Sequence, residues 1–207
     1  MRRQRKVELL PQLVESIVAE TADVFLFFVD LCGSTQYKQK CITQRQPDLT
    51  WIFRQLIFLQ RAADLVKKYN GVIVKTIGDE LFAYFEATTD PENVLKCAIE
   101  IVQGFENIKS YQGDARMEAK ASIDIGLTYN GSIDNSGRFD PIGSAVDRCA
   151  RLNSVAEKNE IVFSEDFLAS AEAKLSSAKF KSKYGYKVRN QNLKGFGKIK
   201  CFSILAR

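Results

Sequence analysis

The 207-residue sequence contains no histidine. That absence excludes Ser-His-Asp triads, Cys-His dyads, zinc deaminase sites and imidazole acid–base catalysis. Any chemistry falls to carboxylates, basic side chains, backbone amides and bound metal ions. No run of about 18 apolar residues occurs, which excludes a membrane-spanning helix. The opening Met1-Arg2-Arg3-Gln4-Arg5-Lys6 has the charge of a signal-peptide start, but no apolar segment follows it. Cysteine pairs at metal-ligand spacing are also lacking: Cys32, Cys41, Cys97, Cys149 and Cys201 are scattered. An odd count without a secretion signal reads as free thiols, and the expected location is the cytoplasm. No internal repeat or low-complexity linker divides the chain. No aromatic-interleaved basic segment points to nucleic acid.

What remains has the composition of a globular domain, 45% hydrophobic and 27% charged. A chain of this length can bury one substantial core. The net charge of +5 sits partly in the first six residues and partly in the lysine-rich stretch 174–200. That surface is solvated and would also attract a polyphosphate.

Residues 7–20 mix Glu8, Gln12, Glu15 and Glu20 with apolar positions, the pattern of a short amphipathic helix. Residues 1–21 therefore form an extension, and 22–207 the main domain. The apolar run 24–31 predicts a buried strand. Pro47-Asp48 opens a helix whose apolar face is Ile52, Leu56, Leu59, Ala63 and Val66, ended by Asn70-Gly71. Residues 72–77 and 81–85 predict a hairpin turning through Gly78-Asp79. Asp90-Pro91 caps a helix running to about Ile108. A strand over 122–127, a turn at Asn130-Gly131, and a long loop over 134–142 follow. Then come a helix over 144–156, a strand at 161–163, a helix over 165–174, and closing strands near 186–189 and 198–205. The order is that of an α+β chain with a ferredoxin-like split βαβ arrangement.

Three segments carry candidate chemistry. In Phe28-Val29-Asp30-Leu31-Cys32-Gly33-Ser34-Thr35, a carboxylate ends a buried strand and a glycine-containing turn follows. Asp30 can ligate a hard cation while the amides of residues 31–35 cradle phosphate oxygens, or Asp30 can simply cap the turn. In Lys75-Thr76-Ile77-Gly78-Asp79-Glu80-Leu81, Asp79 sits at a hairpin tip, a common place for aspartate without function. The apolar flanks nonetheless put Asp79 at the end of central strands beside Asp30. Two carboxylates there suit two divalent ions about 4 Å apart. In Asp140-Pro141-Ile142-Gly143-Ser144-Ala145-Val146-Asp147-Arg148-Cys149-Ala150-Arg151, Asp147 and Arg151 share a helix face, where an ion pair is the simple alternative.

Taken together, over residues 22–206, these segments resemble the class III adenylyl and guanylyl cyclase catalytic domain. The resemblance implies an antiparallel-rich central sheet with flanking helices. It implies two divalent ions, Mg²⁺ or Mn²⁺, on Asp30, Asp79 and the main chain of Leu31. It further implies phosphate contacts from Gly33, Ser34, Thr35 and Lys194, base contacts from Lys75 and Asp140, and transition-state contacts from Arg151 and Asp147. The partners it implies are a nucleoside triphosphate and a second copy of the chain, placed head to tail so that the site spans the interface. Asp147 stands where that family usually has Asn, so the position can accept but not donate a hydrogen bond. The Lys75 and Asp140 pair looks like the adenine-reading pair of adenylyl cyclases. The short stand-alone chain and Asp147 instead resemble the pyrimidine cyclases of antiphage Pycsar systems, which make cUMP or cCMP. Trp51, Phe53 and Arg54 either narrow a base pocket or belong to the ordinary core and surface of their helix. Gly78-Asp79-Glu80-Leu81-Phe82 echoes the diguanylate cyclase hairpin, without its first glycine. A catalytically inactive nucleotide-binding module is the remaining alternative.

Overall fold

The computed structural model describes residues 20–105, 116–130 and 140–206. The amphipathic segment expected over 7–20 lies outside these residues except for Glu20, as do Ile108, Gly131 and positions 134–139. Seven strands form one sheet: β1 (Thr21–Leu31), β2 (Val72–Ile77), β3 (Glu80–Glu86), β4 (Ala119–Tyr129), β5 (Glu160–Ser164), β6 (Lys187–Leu193) and β7 (Gly197–Leu205). Six helices accompany them: α1 (Ser34–Thr43), α2 (Leu49–Lys68), α3 (Pro91–Gly104), α4 (Ser144–Val155), α5 (Glu165–Leu175) and α6 (Ser177–Tyr184).

The strand order is β2-β3-β1-β4-β5-β7-β6, and every pairing is antiparallel except β4 with β5. The first four strands reproduce the expected split βαβ order, with β5, β7 and β6 extending one edge. Alternation along β1 decides the layers. Phe25, Phe27, Val29 and Leu31 enter the main core with residues of α2, α3, α5 and α6. Val24, Leu26 and Phe28 face the other way, against Ala145 and Cys149 of α4. Phe28 stacks on Phe82 of β3 at 4.3 Å between ring centres. A period of two thus assigns alternate β1 residues to two different cores.

Helix ends follow local chemistry. The Asp90 side chain accepts from the Glu92 amide at 2.9 Å with Pro91 in the first turn, satisfying a donor the helix cannot. Ser164 does the same for Phe167 at the start of α5. The left-handed residue that closes α2 is Asn70, with φ 63°.

Two expectations need correction. Of the expected face of α2, Val66 is buried and Leu59 and Ala63 pack against the core, but Leu56 is 53% exposed, and Phe58 and Ala62 are the other buried residues. Residues 51–59 carry apolar side chains on several faces, so spacing alone did not select the buried one. Helices α1 and α6 were not expected, because each buries a single side chain, Cys41 or Phe180.

Helix α4 is tied to the sheet by charge. Arg148 donates to the fully buried Asp124 carboxylate at 2.6 and 2.9 Å, and to Asp166 at 2.6 Å. Removing one partner of such a pair strands the other in a poorly solvated place. Arg148→Ala is therefore expected to destabilise the protein by about 3–5 kcal/mol, read as a lower melting midpoint. A change below about 1 kcal/mol would contradict a structural role for the pair.

Candidate active site

The cleft forms where β1 ends. Asp30 is the penultimate residue of β1 and lies between Glu80 of β3 and Lys120 of β4 in the sheet register. The β2–β3 hairpin tip carries Asp79, and Gly78 supplies the positive φ (65°) that the turn requires. Beyond Leu31 the chain reverses at Gly33, whose φ of 72° is left-handed, a conformation glycine adopts without penalty. Helix α1 then begins with no side-chain cap, and its first internal bond is Tyr37 N–H to Gly33 C=O at 3.0 Å. The amides of Ser34, Thr35 and Gln36 are thus left as donors at a helix N-terminus. Cys32 is not among them, since its N–H donates to Glu118 C=O at 2.8 Å. This corrects the expected cradle at one position.

Asp30, Leu31, Gly33 to Gln36, Asp79, Lys120 and Lys158 all line the cleft, whose volume is about 850 Å³. The Leu31 side chain is buried in the main core, so only its main-chain atoms bear on the site. Burial, followed by the nearby Asp79 charge, pushes the Asp30 carboxyl above its usual range; Lys120 at 3.5 Å opposes this. Glu80 is raised by burial too, against a 2.7 Å hydrogen bond from the Asn153 amide. Three neighbouring carboxylates with one close ammonium leave unbalanced negative charge, which a divalent cation would relieve. Among the described residues no group of three or more His, Cys, Asp or Glu could enclose a metal ion. Two carboxylates completed by phosphate and water oxygens are the kind of ligand set that suits Mg²⁺. The donor set therefore fits a cation that arrives with its substrate.

The other expected residues gather elsewhere. Lys75 and Asp140 form a half-exposed ion pair at 2.5 Å. An antiparallel bridge between Tyr129 and Ile142 brings the segment before α4 to the sheet. Asp147 and Arg151 are exposed on α4, and no ion pair joins them among the described residues. Lys194 lies exposed in the β6–β7 turn, at the sheet edge opposite β2. None of these five lines the cleft. Exposed apolar side chains lie near Lys75 and Asp140: Val72 and Ile77 on β2, Leu127 on β4, and Ile142. Trp51, Phe53 and Arg54 also lie off the cleft. Trp51 bonds Asp48, Phe53 is exposed, and Arg54 reaches the Arg116 carbonyl and stacks on Tyr37.

Sequence reasoning missed Glu80, Lys120 and Lys158. Glu80 had a signal, its place beside Asp79. Lys120 had none, because only the β1–β4 register sets a residue 90 positions away beside Asp30.

Comparison with known proteins gives a consistent family. The family model "Adenylate and Guanylate cyclase catalytic domain" matches residues 17–206. A Streptomyces coelicolor adenylate cyclase is 25% identical over 155 residues, 73% of this chain and 36% of that protein. The chain thus spans about a third of the length of that curated relative. The guanylate cyclase domain of RhGC from Catenaria anguillulae, solved with GTP, superposes with TM-score 0.71 at 17% identity, covering 89% of this chain and 97% of that one. The adenylyl cyclase CyaB from P. aeruginosa gives TM-score 0.69 at 20% identity, covering 89% and 95%. At these identities the two structures show a shared fold.

Proposed function

This chain belongs to the adenylate and guanylate cyclase catalytic domain family, and from that membership we propose that it closes a nucleoside triphosphate into a 3′,5′-cyclic nucleotide with release of pyrophosphate. One observation supports the reading: the expected site residues fall into two separated groups. The cleft holds carboxylates and helix-terminal amides, while Lys75, Asp140, Asp147 and Arg151 lie outside it. Two copies packed head to tail would join the groups and cover Val72, Ile77, Leu127 and Ile142.

In that arrangement each side chain has a task. Asp30 and Asp79, with the main chain of Leu31, would hold two divalent ions, Mg²⁺ or Mn²⁺. When bound, these supply Lewis acidity toward the ribose 3′-hydroxyl and the phosphates. The amides of Gly33, Ser34 and Thr35 and the second copy's Lys194 position the triphosphate. The 3′-hydroxyl gives up its proton to solvent, and its oxygen forms a bond to the α-phosphorus in line as the bond to pyrophosphate breaks. Arg151 of the second copy meets the charge gathering on the α-phosphoryl oxygens. Nucleophile and phosphorus belong to one molecule, so the protein mainly enforces their pose.

The proposed base is a pyrimidine, UTP before CTP, and with it goes a signalling role of the antiphage kind. Asp147 supports this choice as an exposed acceptor on α4, where an amide would also donate. The touching Lys75 and Asp140 side chains offer one donor and one acceptor, which suits the N3–H and O4 edge of uracil. A second reading, adenine, is favoured by the same pair and by the Streptomyces relative. Incubating the protein with ATP, GTP, CTP or UTP and Mn²⁺, and separating products by mass, decides between them. The expected product is cyclic UMP; cyclic AMP would establish the second reading. No cyclic product from any of the four would contradict both.

A further inference from the structure

Lys120 has no assigned task, yet the sheet register sets it directly beside Asp30. The two side chains are 18% and 24% exposed and 3.5 Å apart. Lys158, the other lysine of the cleft, differs. It is 65% exposed and held by Glu118 at 2.7 Å. Of the two, only Lys120 stands where a divalent ion on Asp30 and Asp79 would have to go.

A cation arriving at Asp30 meets an ammonium already there, and like charges at that range repel. The ammonium must leave, and its four-carbon stem lets it swing. The cleft next to it contains the unpaired amides of Ser34 to Gln36, where phosphate oxygens would lie. Resting on the cyclase reading above, we propose that Lys120 is a substrate-binding residue that occupies the metal carboxylate in the unloaded protein and passes to the polyphosphate when cation and nucleotide enter together. The consequence is a coupling of fixed sign. Lys120 weakens the binding of metal alone and strengthens the binding of metal with polyphosphate, so the two ligands favour each other's entry.

Two probes read this without turnover: Mn²⁺ alone, followed by its electron paramagnetic resonance, and inorganic tripolyphosphate titrated calorimetrically in saturating Mn²⁺. In Lys120→Met, Mn²⁺ alone is expected to bind on the order of tenfold tighter and tripolyphosphate on the order of tenfold weaker. Lys120→Arg keeps the charge and should restore tripolyphosphate binding to within a few-fold. If the Met variant does not fold, Lys120→Gln makes the same test. A merely structural lysine would move both affinities together or neither, and either result overturns the proposal. If Asp30→Ala loses Mn²⁺ while Lys120→Met changes nothing, the handover falls and the metal assignment stands. Failure of the unaltered protein to bind Mn²⁺ would overturn both.

Discussion

Replacing Asp30 or Asp79 by alanine is expected to lower turnover by about 10³-fold or more, because the cation they are proposed to hold would supply several kcal/mol of charge stabilisation. The fold should survive. Asp30 lies at the end of its strand, and the pairings of β1 with β3 and β4 are main-chain bonds that alanine keeps. Its carboxyl is raised by burial and by Asp79, so the ionised form disfavours the folded state. The unfolded chain is then the more acidic one. Stability held back by Asp30 near neutral pH is regained as the pH falls through the raised value toward the ordinary carboxylate range. Asp30→Asn removes that cost and should melt at or above the temperature of the unaltered protein while losing activity. A functional carboxylate kept at the expense of stability is a common trade. Loss of activity together with a much lower melting midpoint would assign Asp30 to the fold instead. Retained activity would remove it from the metal site.

Legibility divided along physical lines. The split βαβ order could be read because β1, β2 and β3 carry dense apolar runs, and because Asp90-Pro91 and Asn70-Gly71 mark helix ends with local chemistry. Helices α1 and α6 could not be read that way, since one buried residue each leaves no apolar period to detect. On α2 the period was present but ambiguous, and packing chose Phe58 and Ala62 over Leu56.

The site divides similarly. Gly33 and Asp79 sit at chain reversals and Asp30 near a strand end, where the sequence shows the turn and the candidate residue together. Lys120 and Asn153 come to the cleft region through tertiary placement, one by strand register and the other by the docking of α4 against β3. Spacing along the chain carries no trace of either. The Cys32 amide was expected in the phosphate cradle, but the Glu118 carbonyl claims it, a contact across 86 positions.

The central claim is that an active site needs two copies of the chain, and subunit mixing tests it most directly. Arg151→Ala alone is expected to lose about 10³-fold, in line with arginine contacts to a transferring phosphoryl group. Asp30→Ala alone loses a comparable factor. In a heterodimer of the two, one site carries both defects and the other carries neither. Random mixing makes half of the dimers heterodimers with one intact site of two, so about a quarter of the unaltered activity should return. Cyclic nucleotide formation is measured after the two inactive proteins are mixed, with heterodimers verified by copurification through separate tags. Recovery to about a quarter is the predicted result. Heterodimers that remain as inactive as either parent would contradict it and place Arg151 outside the site that Asp30 serves.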